Sequence, residues 1–426
     1  MVKRPVDPCS VLAHLPTDAG IAVMRDGNRT IVCCTPSEIL VASGPAAFDA
    51  LDSIERDGGF WAGFLAYDLG RSVERIVPSS DDDLCLPDLG FARFPCRLVL
   101  EPGAPPRVEG NGAGRETLER ALWLSRGRDE QPAPLPGLSG WRSSLDEEGW
   151  SRRVEEVLNL LAAGECYQVN LTRRLTVAVP ADPVALFTAL WKHNPAPHSA
   201  LLTFGAGAPV DLSIVSASPE RYLARDGRDV ETRPIKGTGS DAARLAASAK
   251  DRAENVMIVD LARNDLGRVC EYGSVRTDAL CEVEAHPGLF HLVSTVRGRL
   301  RDDIGLSDLV RATFPPASVT GAPKPRVLQA IEDLEPIRRG AYCGAVGWID
   351  SDRSRCDLAV AIRTFTVTGG ATHLGVGGGI VADSDPVAEW RETELKARRI
   401  LDAASRGSGA RIRERTAAGP GSGVGA

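Results

Sequence analysis

Glu389, Glu392 and Lys396 recur at i, i+3 and i+7 in DSDPVAEWRETELKARRIL, which puts two carboxylates and an amine on one helical face. A solvated, salt-bridged face is the bland explanation of such a stripe. Its position is what distinguishes it, because the helix opens just after GVGGGIVADSDP. Gly377, Gly378 and Gly379 at a strand end expose backbone N–H groups that can hold a carboxylate or phosphate; the alternative is a flexible turn. A second segment, DRAENVMIVDLARNDLGR, carries Asp251 and Glu254 on one face, and Asp260, Asn264 and Asp265 add further oxygen atoms. Carboxylates from two helices, with waters completing the shell, are the usual way to hold magnesium. Spacing alone does not bring Glu254 to Glu392.

Lys236 stands in RPIKGTGS, between an extended segment and a glycine turn. Such a lysine ordinarily points into solvent. In a dry pocket, or beside another cation, its pKa falls and the free amine becomes a nucleophile. Glu220 in SASPERYL is an exposed carboxylate by default and a general acid if burial raises its pKa.

Several elements must position these groups. Residues 1 to about 102 alternate short apolar runs with turn signals (GIAVM, RTIVCC, GFWAGFLAYDLG, ARFPCRLVLEPG) and read mainly as strands with a few short helices; RETLERALWLSR, a short helix, lies in the Gly/Pro-rich and polar stretch that follows. A Gly/Pro-rich linker is expected near 125–140. A helix then opens with a capping box of Ser144 and Glu147, carries Val154, Val157, Leu158 and Leu161 on one face, and ends at Gly164. Strands follow in YQVNLTRRLTVAV, SALLTFG, LSIVSASP, RYLARDG and VETRPIKG. Asp241 to Leu266 has a helical period with Ala253, Val256, Met257 and Leu261 together. Another helix follows Gly321 with Pro323 in its first turn, strands return in AYCGAVGWID, CDLAVAIRTFTV and THLGVGGGIV, and a last helix is capped by Asp385 and runs to about Ser405. Strands in runs with a few long helices between them indicate an α+β fold with antiparallel sheets. Residues 406–426 are Gly-, Ala-, Ser- and Arg-rich without apolar period and read as a disordered tail.

Composition removes several functions. The net charge of −7 and the lack of any long basic block argue against a nucleic-acid surface. No apolar run reaches the roughly 18 residues of a membrane span, and no apolar segment follows the basic N-terminus as in a signal peptide, so the chain reads as cytoplasmic. Ten scattered cysteines without a CxxC pair read as reduced core residues and assemble no zinc site.

Ten segments, in order, resemble the chorismate-utilising enzyme family: YQVNLTR, SASPERYL, RPIKGT, DRAENVMIVDLARNDLGR, HLVST, FPPASVTGAPKPRVLQAIEDLE, AYCGAVGW, AIRTF, GGGIVADSDP and WRETELKARRIL. They cover residues 144–402 almost continuously, and GFLAYDLGRSVE near the N-terminus is similar to the amino-transferring members. The resemblance implies a large sandwich of two antiparallel sheets flanked by helices. A chorismate-binding catalytic region over 141–405 would be interleaved with strands from 1–125. Gln168 stands where the water-using members carry a lysine, which implies ammonia as the nucleophile. Lys236 stands where anthranilate-forming members have the alanine of PIAGT, and PIKGT is the form of members that make 4-amino-4-deoxychorismate. No LLES-like tryptophan-feedback motif is present near the N-terminus.

Carried over by position, the resemblance implies that Glu254 and Glu392 ligate Mg2+, with Asp251 and Glu389 reaching it through water. Gly237 and Lys396 would lie near the ring carboxylate. Tyr342, Arg363 and the Gly378–Gly379 backbone would hold the enolpyruvyl carboxylate, and Ser318, Thr238 and His291 would line the ring with Gln168. Glu220 would protonate the departing C4 hydroxyl while Lys236 attacks C2. The chain contains no segment that reads as a glutaminase, so the resemblance implies ammonia from a separate glutamine amidotransferase subunit. The competing readings are an anthranilate-forming enzyme and a member that only binds chorismate; the second needs a damaged site, yet each carried-over position holds a suitable residue.

Overall fold

The computed structural model describes residues 6–126, 139–286 and 289–406. The expected linker lies mostly, and the expected tail almost wholly, outside these residues. Within them the chain forms an eleven-stranded and a ten-stranded sheet, antiparallel throughout their strand pairs. This is the expected two-sheet α+β architecture.

Alternation along the strands dictates the layers. In Ile21–Asp26, Ala22 and Met24 face the space between the sheets while Ile21 and Val23 face the helices outside. Phe60–Leu65 does the same in the other sheet: Phe60, Ala62 and Phe64 point inward, and Trp61 and Leu65 pack beneath the outer helices. Both strands are apolar on both faces because both faces are covered. The N-terminal region supplies strands to each sheet: Ile21–Asp26, Arg29–Cys34 and Cys96–Leu100 to the larger, Glu38–Ala42, Phe60–Leu65 and Leu89–Arg93 to the smaller. The ten cysteines are unbridged, and all but Cys85 are buried. Among the described residues no helix is long and apolar enough to cross a membrane.

Several local expectations need correction. The helix Glu147–Ala162 is capped by Asp146, whose Oδ1 accepts from the Gly149 N–H at 2.8 Å; Ser144 instead accepts from the Arg174 N–H of a neighbouring strand. The segment after Asp241 is two helices, Ala242–Ala247 and Ala249–Gly267, broken at Ser248, which caps the second. That second helix buries Asn255, Ile258, Val259, Ala262, Asp265 and Leu266, whereas Val256 is exposed, so its inner face is not the apolar stripe. Pro323 is the N-cap of the helix Lys324–Leu334, and Pro325 is the proline of its first turn. Gly377–Gly379 form no turn; they are paired with Thr172, Leu171 and Asn170 inside the strand Ala371–Ile380.

Candidate active site

The site lies where both sheets and two helices converge. In the larger sheet, Ala371–Ile380 runs beside Gln168–Val177, and its glycines leave room for neighbouring side chains. A Cβ on Gly379 would stand 2.4 Å from Gln168 Nε2 and 3.5 Å from Lys236 Nζ. One on Gly378 would meet Glu389 Oε2 at 3.3 Å and Lys396 Nζ at 3.9 Å, and one on Gly375 would strike the Tyr342 ring at 2.2 Å. The glycine run therefore leaves room on both faces of one strand, for Gln168 and Lys236 at Gly379 and for Glu389 and Lys396 at Gly378. In the smaller sheet, Ile235–Gly239 pairs with Leu289–Arg299 and sets Thr238 opposite His291. Gly237 adopts φ +80°, and a Cβ there would lie 2.9 Å from Asp251 Cβ, so this strand passes tightly over the start of Ala249–Gly267.

Glu220 and Arg363 occupy the places where the chain passes between sheets. Glu220 lies between Ser213–Ser218 of the larger sheet and Arg221–Asp226 of the smaller; Arg363 lies between Arg355–Val360 and Thr364–Thr368, at φ +52°. The two crossings are tied together: the Ala217 N–H donates to the Arg363 carbonyl, and the Val360 N–H to that of Glu220.

Lys236 Nζ donates to the Ser318 carbonyl at 3.1 Å. Burial pulls its pKa below the ordinary lysine value, and Lys396 pulls the same way; Glu254, Glu220 and Glu392 oppose the shift. Glu220 is buried, and burial pushes its carboxyl up to about 7 against the Ser318 hydroxyl, Lys236, the Ile235 N–H and Arg363. An amine inclined to lose its proton thus stands near a carboxyl inclined to keep one. Burial and Arg399 lower the pKa of the Arg363 guanidinium, which makes no side-chain ion pair or hydrogen bond among the described residues. Gln168 is fully buried, and among the described residues neither of its amide atoms is hydrogen-bonded. Two such groups in one cleft call for a polar ligand. His291 Nδ1 lies 2.8 Å from the Thr238 hydroxyl, and burial, Arg363 and His286 bring its pKa down to about 4. Tyr342 stands somewhat apart: its ring lies on Gly375 and its phenol neighbours Cys343, Arg339 and Glu335.

The four acidic residues come from two helices, Asp251 and Glu254 from Ala249–Gly267 and Glu389 and Glu392 from Pro386–Ser405. Burial raises the carboxyls of Glu254 and Glu389, and neighbouring carboxylates add to both: Asp251 and Glu389 act on Glu254, and Glu392 acts on Glu389. Ser384 donates to Glu389 at 2.7 Å, and Lys396 Nζ bonds Glu392 at 2.7 Å and the Gly377 carbonyl at 2.9 Å. Among the described residues no three His, Cys, Asp or Glu side chains are gathered into a protein-only metal cage. An all-oxygen set with excess negative charge nevertheless fits a hard cation that keeps waters and takes few protein ligands. Asp265 is not part of this group; it is buried against Lys324 Nζ at 2.7 Å, and Asp260 pairs with Arg263 at the surface.

Sequence reasoning passed over the support behind the site. Arg339 is buried, grips Glu335 through two hydrogen bonds, and donates to the carbonyls of Val319 and Asn170. Glu335 also accepts from the Thr172 N–H at 2.8 Å. This pair ties the Ser318 turn to the Gln168 strand. Its i,i+4 spacing in EPIRR was the available signal.

The pattern for chorismate binding enzymes matches residues 35–402. Aminodeoxychorismate synthase component 1 of Salmonella typhimurium is 40% identical over 349 residues, covering 80% of this chain and 75% of that protein. Anthranilate synthase component 1 1 of Haloarcula marismortui is 38% identical over 380 residues, covering 82% and 76%. Among solved structures, anthranilate synthase component I from Streptococcus pneumoniae superposes with a TM-score of 0.75 at 28% identity, over 88% of this chain and 92% of that one. MenF, the menaquinone-specific isochorismate synthase of Escherichia coli, shares the fold with a TM-score of 0.73 at 20% identity, over 94% and 91%. By this match, these identities and the shared fold, the chain belongs to the family of chorismate binding enzymes.

Proposed function

We propose that the chain aminates chorismate at C4, giving 4-amino-4-deoxychorismate, with ammonia supplied by a separate glutamine amidotransferase subunit. The observation that carries this reading is Lys236: an enclosed amine, held below its ordinary pKa by burial, near a carboxyl raised to about 7. Neutral Lys236 adds to C2, the ring double bonds shift, and the C4–O bond breaks as Glu220 gives its proton to the leaving hydroxyl, which departs as water. Ammonia then adds at C4, the double bonds shift back, and the C2–N bond to Lys236 breaks. Glu220 recovers a proton from the added ammonia, so chorismate and ammonia become aminodeoxychorismate and water.

The remaining groups bind and orient. Arg363 offers a planar fork to the enolpyruvyl carboxylate, with the Gly378–Gly379 backbone beside it and the ring of Tyr342 against Gly375, farther along the same strand. Gln168, Ser318, Thr238 and His291 line the ring, and Gly237 and Lys396 flank the ring carboxylate. Glu254 and Glu392 would hold magnesium directly and Asp251 and Glu389 through water; the ion's chemistry there is Lewis-acid withdrawal of electrons from the ring carboxylate.

The naming of the relatives as component 1 supports a second subunit. The similar identity of anthranilate synthases keeps attack of ammonia at C2 as the rival reading. Incubating the purified chain with chorismate, magnesium and ammonium, and identifying the product by mass spectrometry with chromatography, decides between them. The expected product is the 4-amino regioisomer, lost with EDTA and not formed from glutamine unless an amidotransferase is added. Anthranilate as the product would overturn the reading.

A further inference from the structure

Two strands, Arg276–His286 and Leu289–Arg299, form an antiparallel pair that the sequence reading did not isolate. Glu284 is directly opposite His291 in this register, so His286, two residues on, shares their face and is diagonal to His291. Rings can meet across such a diagonal, and these do: the two imidazole centroids are 4.8 Å apart with their planes at 63°. On the other side, Thr238 of Ile235–Gly239 bonds His291 Nδ1 at 2.8 Å. His291 is therefore held between a hydroxyl on one strand and a ring on another. Among the described residues the buried Nε2 of His286 has no hydrogen-bond partner; Glu284 Oε2 is 4.0 Å away, and that carboxylate is paired with Arg233 through its other oxygen.

We propose that His286 is a positioning residue for His291, its ring closing the side of that imidazole which Thr238 leaves open and keeping it in one orientation away from water. The surroundings keep both rings neutral. His286 faces Glu284 on its own strand, His291 on the adjacent one, Arg233 on the next, and Arg363 at the crossing; His198 lies within electrostatic reach. Burial and the two arginines disfavour a proton on His286, and Glu284 alone favours it. A neutral His291 keeps Nε2, which Thr238 does not use, for a hydrogen bond with substrate, as donor or acceptor according to its tautomer.

The test compares His286→Ala with His286→Phe in the full chain, following the His291 ring by NMR across pH with His291→Gln as the assignment control. In His286→Ala, water reaches His291 and its midpoint should rise by roughly one unit or more from about 4; in His286→Phe it should stay near the wild-type value. The kinetic arm rests on the amination reading: kcat should fall about tenfold in the alanine variant with KM within about twofold, and recover in the phenylalanine variant. A wild-type chain that does not aminate chorismate would fail that reading and leave the NMR arm intact. An unshifted His291 in His286→Ala, or equal impairment by Ala and Phe, overturns the positioning role. If His286→Ala does not fold, His286→Gln, which keeps bulk without an aromatic ring, is read in the same way.

Discussion

Lys324 is buried and Lys236 half-buried, and their partners differ. Lys324 Nζ has the Asp265 carboxylate at 2.7 Å and the Thr313 carbonyl at 3.1 Å. Among the described residues Lys236 Nζ has only the Ser318 carbonyl at hydrogen-bond distance; Glu254, Glu220 and Glu392 act on it from farther away. A buried cation with a carboxylate in contact is a structural tie between the helices Ala249–Gly267 and Lys324–Leu334. A half-buried amine without one has less reason to stay charged. The proposed nucleophile differs from the structural lysine in its missing contact partner.

The comparison breaks most sharply at Lys236 itself. Lys236→Ala should lose formation of the 4-amino product by roughly 10³-fold or more, ~4 kcal/mol of transition-state stabilisation, and can divert ammonia to C2. Separating the two regioisomers reads the outcome, and wild type deprived of ammonia should accumulate a covalent adduct on this side chain. Undiminished 4-amino product from the variant would return Lys236 to an ordinary lysine.

At Lys324 the loss should appear in stability. Lys324→Met leaves Asp265 buried and unpaired, which costs about 3–5 kcal/mol by denaturant titration, with kcat per folded molecule within about twofold. Pairing it with Asp265→Leu should recover much of the stability. A large kcat defect in well-folded Lys324→Met would erase the distinction between the two lysines.

Glu220 sharpens the same contrast from the acid side. Its folded pKa of about 7 exceeds the ordinary 4.5, so the folded state holds the proton longer than the unfolded chain. This penalty is absent below about pH 4.5, develops as pH rises to about 7, and above that reaches ~3 kcal/mol at most. Glu220→Gln should therefore be more stable than wild type at pH 8 and equal to it near pH 4, while losing amination. At fixed free ammonia, the wild-type rate should fall about tenfold per unit above about pH 7.

The smallest effect is expected at Arg363, where lysine keeps the charge and loses the fork. Arg363→Lys should weaken kcat/KM by roughly 1.5–3 kcal/mol. An unchanged value would make this arginine structural.

Much of the sandwich was legible because the strands are short apolar runs between turn signals. The chemistry-bearing residues were legible as motifs, not as a constellation: nothing in RPIKGTGS shows that Lys236 lies over Gly379. The helix Ala249–Gly267 misled because its inner face is polar where it meets the smaller sheet. Asn255 bonds the Leu292 carbonyl and the Ser294 hydroxyl there, while Val256 faces outward. His286 was invisible for a related reason, since a hairpin diagonal exists only once register is known. Caps shifted by a few positions because Ser144 and Pro323 suit the cap or first-turn places that Asp146 and Pro325 do not leave to them.

The two crossings that carry Glu220 and Arg363 have a mechanical consequence. Each is a rivet through both sheets, and backbone hydrogen bonds join one rivet to the other. Sliding one sheet over its partner would load these short spans first. The gap between Glu220 and Arg363 is thus gauged by the thickness of the sandwich, and substitutions in the inter-sheet packing of Phe60, Phe64 and Trp348, far along the strands, bear on the site as a caliper bears on its jaws.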